Sequence, residues 1–181
     1  AEGFDYYTVF SLWDTYRGYH PLMSIIDRKR TRDYVLTFLE QFNQAGLLPV
    51  WEFAANETFC MIGNHSIPVI SSAIMNDIIV NPDTQKLLLN AMVETANTPR
   101  GGIDDYRECG YIPSNRESES VSKTLEFAYD DWCIAQVARK LGEETLYTEF
   151  IKRAQSYKNI FNPENGFHAP KANGTFLTPF D

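Results

Sequence analysis

Apolar residues recur along this chain at the three-and-four spacing of helices. Tyr34, Val35, Phe38, Leu39 and Phe42 form one stripe, with Arg32, Asp33, Glu40 and Gln41 elsewhere on the helix, the mark of a helix packed on one side. Thr31 caps this helix and Gly46 stops it. Leu87, Leu88, Ala91 and Met92 stripe residues 84–97, and Leu146, Tyr147, Phe150, Ile151, Ala154 and Tyr157 stripe residues 143–161. Two other stretches differ. Ile67, Val69, Ile70, Ala73 and Ile74 within residues 64–80 cover nearly the whole circumference, as do Phe127, Ala128, Tyr129, Trp132 and Ile134 within residues 119–141. A helix apolar all round is a buried one. A first helix is predicted over residues 15–26, disturbed by Pro21, with a short basic turn at residues 27–30 after it.

The buried and striped helices alternate. Asn81-Pro82-Asp83 and Gly142 make short turns inside two of the pairs, whereas residues 47–63, 98–118 and 162–181 are long connections between or after pairs. Long connections in a compact domain are usually functional. Each helical hairpin returns the chain to the side it left, so the long connections fall at one end. The fold class expected is all-α: an α/α toroid, about half of an (α/α)6 barrel, made of three helical hairpins with long loops at one end. Its binding face lies at the N-terminal ends of the buried helices, where free N–H groups favour polar ligands. Half a ring leaves the inner helices facing nothing on one side, so residues 1–181 are expected to be a segment of a larger ring. The alternative is a solenoid of stacked helical pairs, but no tetratricopeptide-like period is present and the loops are too long for one.

Composition narrows the partners. The formal net charge of -8 argues against a nucleic-acid footprint. No apolar run is long enough for a transmembrane segment. Cys60, Cys109 and Cys133 are too few and too widely spaced for a disulfide framework or a zinc site, and read as buried thiols.

Candidate chemistry gathers at the loop-rich end. Trp13 and Asp14 are adjacent in FSLWDTYRGYHP. An indole can stack on the apolar face of a sugar while a neighbouring carboxylate accepts bonds from its hydroxyls. Asn64, His65, Arg116, Glu117 and Glu119 fall at the same end. His65 could bond a hydroxyl, act as a base or cap its helix. Glu117 and Glu119 could bind a ligand or simply be acids of a helix start. Glycoside hydrolysis needs paired carboxylates, and Glu126 and Asp130 are four apart with Lys123 beside them, a spacing equally suited to a structural ion network. His20 reads as structural and His168 is open. Phosphate-loop, His-x-x-x-His and serine-elbow motifs are absent.

FSLWDTYRGYHPL at 10–22, MIGNHSIPVI at 61–70, ESVSKTLEFAYDDWCIA at 119–135 and NGTFLTPFD at 173–181 resemble, in order along the whole chain, the α-mannosidases of glycoside hydrolase family 92. The resemblance implies an exo-acting, calcium-dependent enzyme that releases mannose with inversion, an α-1,2-mannosidase of N-glycan degradation. It implies an (α/α)6 catalytic domain, of which residues 1–181 would be part, with a β-sandwich domain before it. Trp13 and Asp14 match the family's pair that holds mannose, with His65, Glu117 and Glu119 as further candidates for substrate binding. The family's general acid lies in a Thr-Glu-Gly-Asn segment just beyond the position of Asp181 and its base in a later Gly-Asn-Asp-Asp segment. Calcium ligands also come mainly from those later stretches. No catalytic or metal-ligating residue is therefore assigned within residues 1–181. The partners implied are α-mannoside glycans and the remainder of the same chain, in a periplasmic, cell-surface or secreted bacterial setting. The competing readings are a non-catalytic helical carbohydrate-binding or interaction module, and a polysaccharide lyase, which the acidic balance disfavours.

Overall fold

The computed structural model describes residues 3–179. The helices run α1 (Leu12–Thr15), α2 (Tyr19–Ile26), α3 (Arg28–Ala45), α4 (Ser66–Met75), α5 (Pro82–Asn97), α6 (Ile103–Cys109), α7 (Ser120–Leu141) and α8 (Glu144–Arg153). Helices α2, α4 and α7 stand side by side, and α3, α5 and α8 pack outside them. This is the all-α arrangement of part of an α/α toroid.

Leu12, Phe38, Ile70, Leu88, Ile134 and Phe150 meet in one core without solvent exposure. Each such side chain contributes about 1.5–3 kcal/mol by burial. Ile103, Tyr106, Ile112 and Phe127 make a smaller cluster that seats α6 on α7. The inner helices leave Leu22, Ile25, Tyr129 and Trp132 exposed.

The two ends differ in kind. At one, Arg28 donates to the carbonyl of Asn76 at 2.8 Å and Lys140 to that of Ile74 at 2.7 Å, tying short turns together. At the other, the long connections meet the starts of α4 and α7. The amide of Leu12 donates to the carbonyl of Val50, and the amide of Asn64 to Asp130 of α7.

Several boundaries differ from the periodicity. The helix expected over 15–26 is broken between α1 and α2 at Gly18, and Pro21 sits harmlessly in the first turn of α2, where its missing N–H has no helical partner to lose. Helix α3 starts at Arg28, not Thr31, because the Asp27 carboxylate accepts from the amide of Arg30. Helix α4 stops at Met75; Ile78 and Ile79 are buried from an irregular turn instead. The helix expected to reach 161 ends at Arg153 and continues as a 3₁₀ turn over Ala154–Ile160. The long connections hold small elements of their own: α6, and the antiparallel hairpins β1–β2 (Glu52–Phe53 with Asn56–Glu57), β3–β4 (Phe161–Asn162 with Phe167–His168) and β5–β6 (Lys171–Ala172 with Thr175–Phe176). Cys133 is buried as expected, but Cys60 and Cys109 are exposed, being carried on the connections rather than on core helices.

Candidate functional site

Helix α1 is a single turn, and it delivers the Trp13–Asp14 pair. Its start is fixed by Ser11, which bridges to Trp51 and whose hydroxyl donates to the Asp14 carboxylate. Asp14 is exposed, while Trp13 is half-buried with its indole Nε1 shielded and unpartnered among the described residues.

Around this pair stands a stack of Tyr16 on His65, with the Arg17 cation beside it. The Arg17 guanidinium lies over the Trp13 ring at 5.1 Å and over the Tyr16 ring at 4.8 Å. Tyr16 in turn lies flat on His65, with centroids 4.3 Å apart and planes 2° from parallel. Glu126 of α7 faces this stack. It accepts from Arg17 at 3.3 Å and, over a longer 3.4 Å, from the Tyr16 hydroxyl.

His65 is fully buried at the start of α4. Burial, helped by Arg17 and Arg100, pushes its pKa down to about 3. The ring is therefore neutral, and its 3.6 Å approach to Glu126 is neither an ion pair nor a hydrogen bond. His65 meets the site from beneath, through Tyr16, and offers no surface to a ligand. Burial, then Glu126, raises the Tyr16 hydroxyl to about 12, so it stays protonated and a donor. Gly63 makes room for this arrangement: it has φ +73°, and a Cβ there would fall 2.6 Å from His65 Nε2.

Behind the stack, Asp130 is buried and accepts from the Asn64 amide at 2.8 Å. Burial raises its pKa well above the ordinary carboxylate range, and Glu126 adds to the effect. Arg100 donates to the side chain of Asn64 and to the Gly63 carbonyl, which fixes the loop before α4.

Glu117 and Glu119 form a second group. Lys123 of α7 pairs with Glu117 at 2.5 Å and with Glu119 at 3.5 Å, one turn before Glu126. Glu119 stands at the start of α7 with φ 54° and a largely exposed carboxylate. Arg116 turns to Asp105 instead. Of the expected site residues, Trp13, Asp14 and His65 are thus gathered around Arg17, while Glu117 and Glu119 gather at Lys123. Glu126 separates from Asp130: one faces the stack, the other a loop amide. Phe180 and Asp181, the last residues of the fourth motif, lie outside the described residues.

A sequence profile of the glycosyl hydrolase family 92 catalytic domain matches residues 1–181. The chain belongs to glycoside hydrolase family 92. It is similar to a family 92 α-mannosidase of Bacteroides thetaiotaomicron solved with mannoimidazole, at 42% identity and TM-score 0.94 over 100% of this chain and 24% of that one. It is also similar to a family 92 inverting mannosidase of the same organism, at 32% identity and TM-score 0.85 over 95% of this chain and 24% of that one. An uncharacterized secreted glycosidase of Arthroderma benhamiae is 25% identical over 165 residues, which make up 82% of this chain and 21% of that protein. The chain spans about a quarter of the length of the relatives it matches.

Among the described residues, no group of three or more His, Cys, Asp or Glu side chains is placed to hold a metal ion. Sequence reasoning missed Tyr16 and Arg17 as parts of the site. The signal for Arg17 was its place four residues after Trp13, one helical turn on. Nothing in the sequence paired it with Glu126, 109 positions away.

Proposed function

We propose that this chain is part of the catalytic domain of an exo-acting α-mannosidase that cleaves α-1,2-linked mannosides with inversion. In this reading it forms one wall of the mannose site, with Trp13 under the sugar ring and Asp14 accepting from its hydroxyls. Glu117 and Glu119 flank the same mouth. The general acid and base, and the ligands of an essential calcium, belong to other stretches of the enzyme, as do the remaining walls of the barrel. The observation that carries the reading is the exposed Asp14 carboxylate beside a braced indole, at the loop-rich end of a family 92 fold. The secreted glycosidase among its relatives supports a place outside the cytoplasm. Among the described residues, no helix is long and apolar enough to cross a membrane.

The test uses the full enzyme carrying this chain, assayed on α-1,2-, α-1,3- and α-1,6-mannobiose with calcium and after chelation. NMR of the first-formed mannose reads the anomer. Release of β-mannose from the α-1,2 substrate, lost on chelation, is expected. Asp14→Ala removes charge-assisted bonds worth about 1.5–3 kcal/mol each, so kcat/KM is expected to fall roughly 10- to 150-fold with the fold intact. Unchanged turnover in that variant removes Asp14 from the site, and an enzyme inert on all three substrates sinks the mannosidase reading.

A further inference from the structure

We propose that Arg17 is a positioning residue of the sugar site, which holds the Trp13 indole in place through a ladder of guanidinium and ring contacts anchored on His65. The inference rests on the mannose-site reading of Trp13. Four rungs follow one another: Trp13, Arg17, Tyr16 and His65. The guanidinium lies 5.1 Å and 4.8 Å from the centroids of the two rings it serves, and the imidazole backs the second ring at 4.3 Å.

Arg17 is fixed in two further ways. Its Nε donates to the Trp13 carbonyl at 3.1 Å, satisfying a group that the one-turn helix α1 cannot pair internally. Its Nη2 donates to Glu126 at 3.3 Å. A half-exposed ion pair alone would contribute little. What this geometry uses is the spread of donors on the guanidinium, whose cation lies over both rings while separate nitrogens donate to the Trp13 carbonyl and to Glu126. The lowest rung cannot slide, because His65 is fully buried and lies flat against Tyr16. A stacking surface braced from behind spends less ordering entropy when the sugar arrives.

The test compares Arg17→Met, Arg17→Lys, Trp13→Ala and the double Trp13→Ala/Arg17→Met variant in the full enzyme, with kcat and KM measured on α-1,2-mannobiose. Arg17→Met is expected to raise KM about tenfold with kcat changed less than about threefold, the pattern of lost ground-state and transition-state binding alike. Lysine is expected not to rescue, since a single ammonium lacks the spread of donors that lets the guanidinium serve the Trp13 carbonyl and Glu126 while lying over both rings. The double variant is expected to be no worse than Trp13→Ala. A wild-type KM in Arg17→Met overturns the proposal. So does rescue by lysine, which would leave only charge, or additive losses in the double variant, which would put Arg17 on the substrate itself. Near-UV circular dichroism, with Trp13→Phe subtracted to isolate the indole, reads the ladder without substrate. Loss of the Trp13 signal in Arg17→Met supports the brace even if mannosides prove not to be substrates, and a retained signal refutes it. If Trp13→Ala leaves KM unchanged while the dichroic signal still depends on Arg17, it is the sugar-site reading that fails.

Discussion

Gly63→Ala is expected to destabilise the enzyme by about 2–5 kcal/mol and to disturb the site with it. Two costs add. With φ +73°, residue 63 is left-handed, which costs an L residue about 1–2 kcal/mol. The new methyl would also lie 2.6 Å from His65 Nε2 and 2.7 Å from its Cε1, with the Glu126 Cβ at 3.2 Å. His65 has nowhere to go, being fully buried and stacked on Tyr16, and overpacking of this kind costs about 1–3 kcal/mol. Urea unfolding of wild type and variant at unchanged m-value measures the sum. The double variant Gly63→Ala/His65→Ala separates the parts. Removing the ring relieves the clash but not the backbone strain, so the double should be about 1–3 kcal/mol more stable than the singles predict. A Gly63→Ala protein within about 0.5 kcal/mol of wild type, or strictly additive losses, would refute the reasoning.

Two further outcomes follow from the same packing. Burial lowers the pKa of His20 from 6.5 to about 4, so the unfolded chain binds the proton more readily and stability is lost as pH falls between those values, by about 3 kcal/mol at most. His20→Phe, among Tyr19, Tyr34 and Phe38, should flatten the stability–pH curve in that window; an unchanged slope in urea titrations at pH 4 to 6.5 would count against it. Phe38→Ala, at a fully buried ring set edge-on to Phe10 at 4.8 Å, should cost about 3–5 kcal/mol by urea unfolding; a loss below about 1 kcal/mol would mean the core closes over the cavity.

The helices were legible where their signals are local. Gly46 and Gly142 end α3 and α7, and the Asn81-Pro82 turn opens α5, with the Asn81 side chain accepting from the Thr84 amide. Helices α4 and α7 do take the inner places expected of them, but Tyr129 and Trp132, which gave α7 its all-round apolar look, are exposed in this chain. What stayed hidden was set by single contacts or by distance in sequence. Arg28-Lys29-Arg30 looks like a loop until Asp27 is seen capping it. Strands of two residues are too short for any alternation to show. In the site, the Trp13–Asp14 pair was visible as a motif, whereas the face Tyr16 presents to His65 depends on α1 and α4 meeting in space. Lys123 sits four residues from both Glu119 and Phe127, yet it chooses Glu117 most closely, a choice made by a loop fold rather than by helical spacing.

The neighbouring aspartates of α7 bear on how such a fold can diversify. Asp130 holds the amide of Asn64, and Asp131 holds the Tyr106 hydroxyl at 2.7 Å and Arg153 at 2.9 Å. Arg153 in turn reaches Asn97 at 2.8 Å. One rigid helix therefore staples the roots of the long connections, and it also holds Ile112 through Thr124 and Glu117 through Lys123, while the exposed hairpin tip at residues 53–56 lies outside these staples. Insertions or exchanges at that tip can reshape the surface it presents without shifting the anchor points. The same substitutions placed at residues 63–65 or 96–106 would pull the frame apart.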